Sequence, residues 1–146
     1  MKTSKQRSNS KGLDKLYLSW DEYDILVETL CEKIRESNMK LCGVWGIPRG
    51  GTLLAVMVSH ILNIKYLANM PSKNTRKKVL IVDDLSDTGC TFRKVIMAGN
   101  KKSRDMDCIK PNICTAAIFK HKDSSFSPDF YVRENNVWID FPYERD

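Results

Sequence analysis

The stretch VLIVDDLSDTGCTF at residues 79–92 constrains the fold more than any other part of the chain. Its first four residues, 79–82, are apolar at every position, which predicts a strand buried on both faces inside a parallel sheet. The run then ends in two adjacent aspartates, Asp83 and Asp84, and small polar residues lead into a helical pattern. The stretch therefore predicts a strand, a loop and a helix in direct succession, with two carboxylates at the end of the strand.

The loop after the aspartates has the composition of a phosphate-binding turn. Residues 87–91 supply backbone N–H groups, two hydroxyls and a glycine at the start of a helix, where amides and the helix dipole favour an anion. Carboxylates repel a neighbouring anion, so their presence here indicates that they bind hydroxyl groups or a hard cation such as Mg²⁺. The stretch thus predicts a ligand with a phosphate and a sugar, and room for a metal ion.

Other phosphate-binding patterns do not fit this spacing. The chain contains neither GxxxxGK[ST], the P-loop pattern, nor GxGxxG, the dinucleotide-binding pattern. Phosphoacceptor receiver domains also begin with VLIVDD, but there the acidic pair lies near the N-terminus and a later strand ends in an aspartate. Here the pair begins at residue 83, and the later strand ICTAAIFK contains no aspartate.

The rest of the chain alternates helices and strands. A helix is predicted over residues 19–38, since Ser19 and Glu22 have the spacing of a capping box and apolar residues recur with helical periodicity. Further strands are predicted at residues 41–47, 64–70 and 113–119, and further helices at residues 52–63 and 91–99. This alternation predicts an α/β protein with a mainly parallel sheet flanked by helices.

Two irregular loops follow predicted strands. They are GIPRGG at residues 46–51 and DDLSDTGCT at residues 83–91. Binding sites in parallel sheets lie at the carboxyl ends of the strands. We therefore expect the two loops to face one crevice.

On these residues the chain resembles the type I phosphoribosyltransferases, which use phosphoribosyl pyrophosphate (PRPP). The resemblance implies the α/β fold of that family, with about five mainly parallel strands flanked by helices and a small C-terminal hood. The stretch 79–92 has the acidic-acidic-x-x-Asp-Thr-Gly-x-Thr spacing of their PRPP motif. The resemblance implies that Asp83 and Asp84 hold the ribose hydroxyls and help to place Mg²⁺. It also implies that the 5-phosphate is bound by the loop residues Asp87, Thr88, Gly89, Cys90 and Thr91.

Two other segments resemble the same family. GIPRGGT at residues 46–52 is similar to its pyrophosphate loop, which implies that Arg49 and Gly50 bind pyrophosphate and that the peptide bond between them is cis. VWIDFPYE at residues 137–144 resembles the small C-terminal hood of the xanthine-guanine phosphoribosyltransferases. That likeness implies that Trp138 stacks on a purine and that the backbone of Ile139 contacts the ring.

The segment TAAIFKHKDSSFSPDFY at residues 115–131 looks like the strand beside the hood in that group. Relatives have a lysine at the end of this strand, which reaches the exocyclic oxygen of the purine. The matching position here is His121, and it is flanked by Lys120 and Lys122. The resemblance thus implies that Lys120 and His121 contact the purine.

The implied reaction is the Mg²⁺-dependent transfer of phosphoribosyl from PRPP to a 6-oxopurine, that is, guanine, xanthine or hypoxanthine. It forms a nucleoside 5-monophosphate and pyrophosphate. Asp87 is the predicted catalytic residue, as proton acceptor or hydrogen-bond partner for the base nitrogen. The implied partners are PRPP, a purine base and other copies of the chain in a homo-oligomer. Two alternatives stay open: transfer to another base, and a PRPP-sensing regulator that binds nucleic acid without efficient catalysis.

The net charge of +6 is concentrated at the N-terminus. Four basic residues and no acidic residue precede Asp14, so the rest of the chain is only mildly basic. We expect residues 1–12 to form a disordered basic tail and residues 13–146 to form the phosphoribosyltransferase domain. The tail either adds solubility or contacts nucleic acid.

The cysteines and histidines do not predict a metal or disulfide framework. The chain has five cysteines without a CxxC pair, and His60 and His121 lie far apart. No apolar run approaches the roughly 20 residues that span a bilayer, and a signal-peptide pattern is missing. We expect a cytoplasmic protein without membrane contact.

Three smaller features carry their own expectations. The segment 71–78 is shorter than the mobile loop that closes over PRPP in many relatives, which predicts slow turnover or closure by another subunit. Trp20 and Trp45 are predicted to lie in the core. Oxidation or alkylation of Cys90 is predicted to block PRPP binding.

Overall fold

The computed structural model describes residues 6–8, 14–71, 77–98 and 112–144. The strands are β1 (Gln6–Ser8), β2 (Asp14–Tyr17), β3 (Leu41–Gly46), β4 (Lys65–Tyr66), β5 (Lys78–Ser86), β6 (Ile113–His121), β7 (Phe130–Asn135) and β8 (Trp138–Asp140). The helices are α1 (Trp20–Glu36), α2 (Gly50–Leu62), α3 (Cys90–Ala98) and a 3₁₀ helix at Pro142–Glu144.

The main sheet has five strands in the order β4-β3-β5-β6-β7, and every neighbouring pair is parallel. The prediction of a five-stranded α/β fold is therefore confirmed. β5 lies at the centre, which explains why its apolar run is uninterrupted. Leu80 and Val82 belong to the larger apolar cluster, whereas Ile81 belongs to a second cluster with Phe92 of α3. Successive side chains of a strand point to opposite faces, so both faces of β5 are covered.

Helix α1 begins as the sequence predicts. Ser19 Oγ accepts a hydrogen bond from the Glu22 amide at 3.1 Å, and Glu22 Oε2 accepts one from the Ser19 amide at 3.4 Å. These two bonds form the capping box, which satisfies amides that have no partner within the helix. The helix buries its apolar face against the sheet and α2.

A second, smaller sheet joins the two ends of the described chain. It has the order β1-β2-β8, with β1 and β2 antiparallel and β2 and β8 parallel. Lys15 pairs with Trp138, so the segment before α1 supports the strand that carries the predicted purine-stacking residue. The predicted tail at residues 1–12 lies mostly outside the described residues, and the domain boundary at residue 12 stays a prediction.

The predictions for two tryptophans have different outcomes. Trp20 is 53 % exposed, so the prediction that it lies in the core is wrong. It is the first residue of α1, and its ring contacts other aromatic rings, those of Tyr23 and Tyr143, at the edge of the core. Trp45 is half-buried and packs against the second apolar cluster. Among the described residues no helix is both long and apolar enough to cross a membrane.

Replacing Tyr23 with phenylalanine is expected to raise the free energy of unfolding by about 1 kcal/mol. The Tyr23 side chain is fully buried, and its hydroxyl has no hydrogen-bond partner. Burial, reinforced by the nearby Asp84 carboxylate, raises the pKa of this hydroxyl above its usual value. A buried polar group without a partner destabilises the fold, and phenylalanine removes it while keeping the ring. Urea denaturation of both proteins measures the difference, and a lower midpoint for the variant would contradict the expectation.

Candidate active site

The two predicted carboxylates lie at the carboxyl end of β5, both partly buried. The Asp84 amide donates a hydrogen bond to Asp83 Oδ1 at 2.9 Å, and the Tyr143 hydroxyl donates one to Asp84 Oδ2. Burial, with the neighbouring Asp84 charge as second cause, raises the pKa of the Asp83 carboxyl to about 8. Two acidic groups thus share a site in which negative charge is poorly compensated by the protein.

This donor set fits a magnesium ion that arrives with a phosphorylated ligand. Mg²⁺ is usually bound in proteins through one or two carboxylates, with water and substrate phosphate oxygens completing its shell. Within the described part of the chain no cluster of three or more His, Cys, Asp and Glu side chains could hold a metal. A metal ion held by Asp83 and Asp84 would therefore need its remaining ligands from water or from a bound ligand.

The loop after β3 lies directly against this acidic pair. A side chain at Gly50 would overlap the Asp84 carboxylate, and one at Gly51 would come within 2.5 Å of the Val82 carbonyl oxygen. The two loops therefore lie against each other at the carboxyl ends of β3 and β5, and that they line one crevice stays a prediction. Arg49 is exposed and precedes α2, so the amides of the first turn of α2 lie at the same end of the sheet.

The cis peptide bond of this loop is one residue earlier than expected. The cis bond joins Pro48 and Arg49, so the expectation of a cis bond between Arg49 and Gly50 is wrong. Gly50 is required for a different reason, which is the close approach of its backbone to the Asp84 carboxylate.

The predicted phosphate-binding residues 87–91, called the cradle below, form the loop between β5 and α3 and the start of α3. Gly89 has a φ of 81°, a value that favours glycine, and a side chain there would overlap Phe126. Cys90 begins α3, and its amide donates to Thr88 Oγ1 at 3.2 Å. The first amides of a helix have no partner within it and suit an anion. Four of the predicted phosphate-binding residues are exposed, namely Asp87, Thr88, Cys90 and Thr91.

The segment after β6 supports this cradle from one side. Ser125 Oγ donates to the Thr88 carbonyl oxygen at 3.1 Å, and the Arg93 guanidinium donates to the Ser125 carbonyl oxygen at 2.9 Å. The Phe126 ring is stacked on Phe92 of α3, with centroids 5.4 Å apart. The sequence analysis missed these contacts, because they join residues more than 30 positions apart.

The hood residues differ in exposure. Trp138 is 66 % exposed on β8, whereas the side chain of Ile139 is buried in the larger apolar cluster, with 4 % exposure. The Trp138 ring is thus available to a planar ligand, while Ile139 could offer only its backbone. This division agrees with the roles that the resemblance implies.

Lys120 and His121 end β6 and are half-buried. The Lys120 ammonium lies 5.3 Å from the centroid of the Tyr131 ring, a cation-π distance. His121 Nδ1 accepts a hydrogen bond from the Asp123 amide at 3.2 Å. Both side chains therefore have local partners, and a base would have to compete with them.

Tyr143 is the site residue that the sequence analysis missed. It belongs to the 3₁₀ helix after β8, and it reaches the acidic pair across 59 positions of the chain. The neighbouring FP dipeptide signals a turn near an aromatic residue, but it does not indicate which side chain the tyrosine contacts. The partner follows from the tertiary structure alone.

Comparisons with known proteins give consistent results. No family model matches the chain. The xanthine-guanine phosphoribosyltransferase of Chromohalobacter salexigens is 25 % identical in an alignment that covers 87 % of this chain and 82 % of that protein. The solved purine phosphoribosyltransferase of Pyrococcus horikoshii is 32 % identical, with a TM-score of 0.74 over 90 % of this chain and 95 % of that one. The Helicobacter pylori xanthine-guanine-hypoxanthine phosphoribosyltransferase shares the fold, with a TM-score of 0.74 at 18 % identity over 89 % of this chain and 94 % of that one.

Proposed function

Because the chain belongs to the type I phosphoribosyltransferase family, we propose that it transfers phosphoribosyl from PRPP to a 6-oxopurine. The products are a nucleoside 5-monophosphate and pyrophosphate. The observation that carries the proposal is the contact between the two loops, in which Gly50 lies against the Asp84 carboxylate beside the cradle. One crevice thereby offers sites for both phosphate ends of PRPP and for the ribose between them.

Different residues are assigned to the ribose, the 5-phosphate and the pyrophosphate of PRPP. Asp83 and Asp84 bind the ribose hydroxyls, and the loop from Asp87 to Thr91 binds the 5-phosphate at the start of α3. Arg49 and the amide of Gly50 bind the pyrophosphate at the start of α2. Helix N-termini and a guanidinium favour phosphate groups, so each end of PRPP meets positive potential.

Magnesium completes the ligand set at the acidic pair. When bound, Mg²⁺ supplies charge stabilisation to the departing pyrophosphate. The raised pKa of the Asp83 carboxyl supports this assignment, since burial beside Asp84 leaves the pair short of compensating positive charge. Asp83 and Asp84 would hold the ion, and their negative charges would also favour the oxocarbenium character of the transition state.

The transfer itself is a displacement at the anomeric carbon. A ring nitrogen of the purine forms the new C–N bond as the C–O bond to pyrophosphate breaks, and the electron pair of that bond leaves with pyrophosphate. The proton of the attacking ring nitrogen passes to the Asp87 carboxylate, which is exposed at the edge of the cradle. Most of the rate enhancement then comes from holding both reactants in line.

The base is held by the hood. The exposed Trp138 ring provides a stacking surface, and the backbone of Ile139 provides polar contacts to the ring edge. Lys120 and His121 lie at the end of β6, where a 6-oxo group can accept a hydrogen bond from either side chain. This donor set favours 6-oxopurines over adenine, whose exocyclic group at that position is an amine.

A spectrophotometric assay of pyrophosphate release tests the function directly. PRPP and Mg²⁺ are supplied with guanine, xanthine, hypoxanthine, adenine, uracil or orotate, and a parallel series contains EDTA. We expect turnover with at least one 6-oxopurine and none with EDTA. Turnover with adenine, uracil or orotate but with no 6-oxopurine would contradict the assignment of a 6-oxopurine as substrate. PRPP binding without turnover on any base would instead favour the PRPP-sensing regulator, whose nucleic-acid affinity should fall steeply with salt.

Replacing Trp138 with leucine is expected to raise the KM for the purine about tenfold, because base-aromatic stacking contributes on the order of 1–3 kcal/mol. The KM for PRPP should change little, since Trp138 is assigned to the base. Steady-state kinetics with each substrate varied in turn measures both constants. An unchanged KM for the base would contradict the stacking role.

Alkylation of Cys90 is expected to abolish PRPP binding, because this exposed thiol lies inside the cradle. Cys31 and Cys114 are buried, and burial raises the pKa of each thiol to about 12, so both should resist iodoacetamide at pH 8. Mass spectrometry identifies the labelled sites, and calorimetry measures PRPP binding. The same treatment of Cys90→Ser should leave its PRPP affinity as it was before treatment. Persistent PRPP binding after labelling of Cys90 would refute the prediction.

A further inference from the structure

A cluster of aromatic rings lies behind the acidic pair. The Tyr143 ring is stacked on Phe141, with centroids 5.4 Å apart and planes inclined by 10°. It meets the Tyr23 ring edge-on at 5.7 Å and the Trp20 ring at 6.3 Å. Contacts on these sides restrict the orientation of the Tyr143 ring, so the direction of its hydroxyl is set by packing.

That hydroxyl is directed at one carboxylate oxygen of the candidate site. It donates to Asp84 Oδ2, and the backbone of Gly50 lies against the same oxygen, since a side chain at Gly50 would overlap it. The Asp84 carboxylate is therefore held between the loop after β3 and the C-terminal 3₁₀ helix. Neither contact involves a ligand, so the carboxylate is oriented before PRPP arrives.

We propose that Tyr143 is a positioning residue for PRPP: its hydroxyl holds Asp84 Oδ2 and leaves Asp84 Oδ1 for the ribose or its metal ion. The proposal rests on the function proposed above, because it takes Asp84 as a ribose-binding group. An oriented carboxylate loses less rotational freedom when the ligand binds, so preorganisation appears as affinity. Tyr143 itself need not contact PRPP.

The same cluster contains an internal control. The Tyr23 hydroxyl is buried beside the Tyr143 ring, yet it has no hydrogen-bond partner. Tyr23→Phe and Tyr143→Phe each remove one hydroxyl and keep the ring, and only the second removes a bond to Asp84. A role that depended on ring packing alone would make the two variants behave alike.

The experiment is a calorimetric titration of the full chain and both variants with PRPP in the presence of Mg²⁺. We expect Tyr143→Phe to raise the Kd for PRPP about tenfold, which corresponds to about 1.4 kcal/mol. Tyr23→Phe should leave this Kd unchanged. In turnover assays Tyr143→Phe should raise the KM for PRPP by a similar factor while the KM for the base stays the same. Thermal unfolding of each variant verifies that both are folded at the assay temperature.

Three results would overturn the proposal. An unchanged Kd in Tyr143→Phe would show that the hydroxyl contributes nothing to PRPP binding. A lower Kd would show that the hydroxyl competes with the ligand for Asp84. An equal loss in Tyr23→Phe would show that the effect does not depend on the bond to Asp84.

Failure of the proposed function is distinguishable from failure of this inference. If the wild type binds PRPP but transfers it to no base, the enzymatic function fails while the comparison of Kd values still decides the role of Tyr143. If the wild type does not bind PRPP with Mg²⁺, the function and the inference are both rejected.

Discussion

Asp87→Ala is expected to lower kcat by a factor of about 10²–10⁴, the usual contribution of a general acid or base. Asp87 is exposed in the loop that follows β5 and opens the cradle. Removing its carboxylate takes away the proposed proton acceptor for the purine while the backbone amides of the cradle remain. The KM for PRPP should therefore change much less than kcat.

The matched control for this variant is Asp24→Ala. Asp24 is also exposed, but it lies on α1 and is not assigned to the site. Steady-state kinetics of both variants separates the two roles, since only loss of the proposed proton acceptor should lower kcat. Undiminished turnover in Asp87→Ala would sink the general-base assignment.

Gly50→Ala is expected to weaken PRPP binding and to lower turnover by about 100-fold, because misplacement of active-site groups by about 1 Å can cost the reaction that factor. The added methyl group would occupy the position of the Asp84 carboxylate. Either the carboxylate or the loop must then move, and both are assigned to PRPP. Calorimetric titration with PRPP and Mg²⁺ measures the loss.

Gly43→Ala provides the matched control for a glycine in the same part of the sheet. Gly43 lies on β3, and a side chain there would meet the Lys65 carbonyl oxygen at 3.0 Å and Leu67 Cγ at 3.1 Å. This contact is tight but does not involve the carboxylates. We expect Gly43→Ala to lose some stability and to keep its PRPP affinity. Equal affinity losses in the two variants would indicate general damage to the fold.

The elements with strong local signals were predicted well. The capping box of Ser19 and Glu22 and the apolar face of α1 locate that helix, because both signals are formed within a few residues. The uninterrupted apolar run of β5 likewise predicts a central strand. By contrast, the predicted strand at residues 64–70 is reduced to Lys65–Tyr66 at the sheet edge, where it pairs with β3 alone among the described strands. A short edge strand has few pairing and packing contacts, so local pattern overestimates its length.

The small sheet could not be predicted from local pattern. β2 and β8 are separated by more than 100 positions and each has three or four residues, too few to show a clear periodicity. Their pairing brings the segment before α1 to the strand that carries Trp138. The segment 71–78 matches the mobile loop that closes over PRPP in many relatives. Its residues 72–76 lie outside the described residues, so the predicted effect of its shortness on turnover stays a prediction.

The sequence alone predicts the chemistry of the candidate site, because the acidic pair, the cradle and the helix that follows are consecutive in the chain. Their spacing sets their relative positions once β5 is recognised as a buried strand. The contacts that hold the site residues in place are visible only in the tertiary structure. The contact of Gly50 with Asp84, the support of Thr88 by Ser125 and the bond from Tyr143 to Asp84 join residues 34 to 59 positions apart. Such contacts arise from the packing of whole elements, whose relative placement no local pattern encodes.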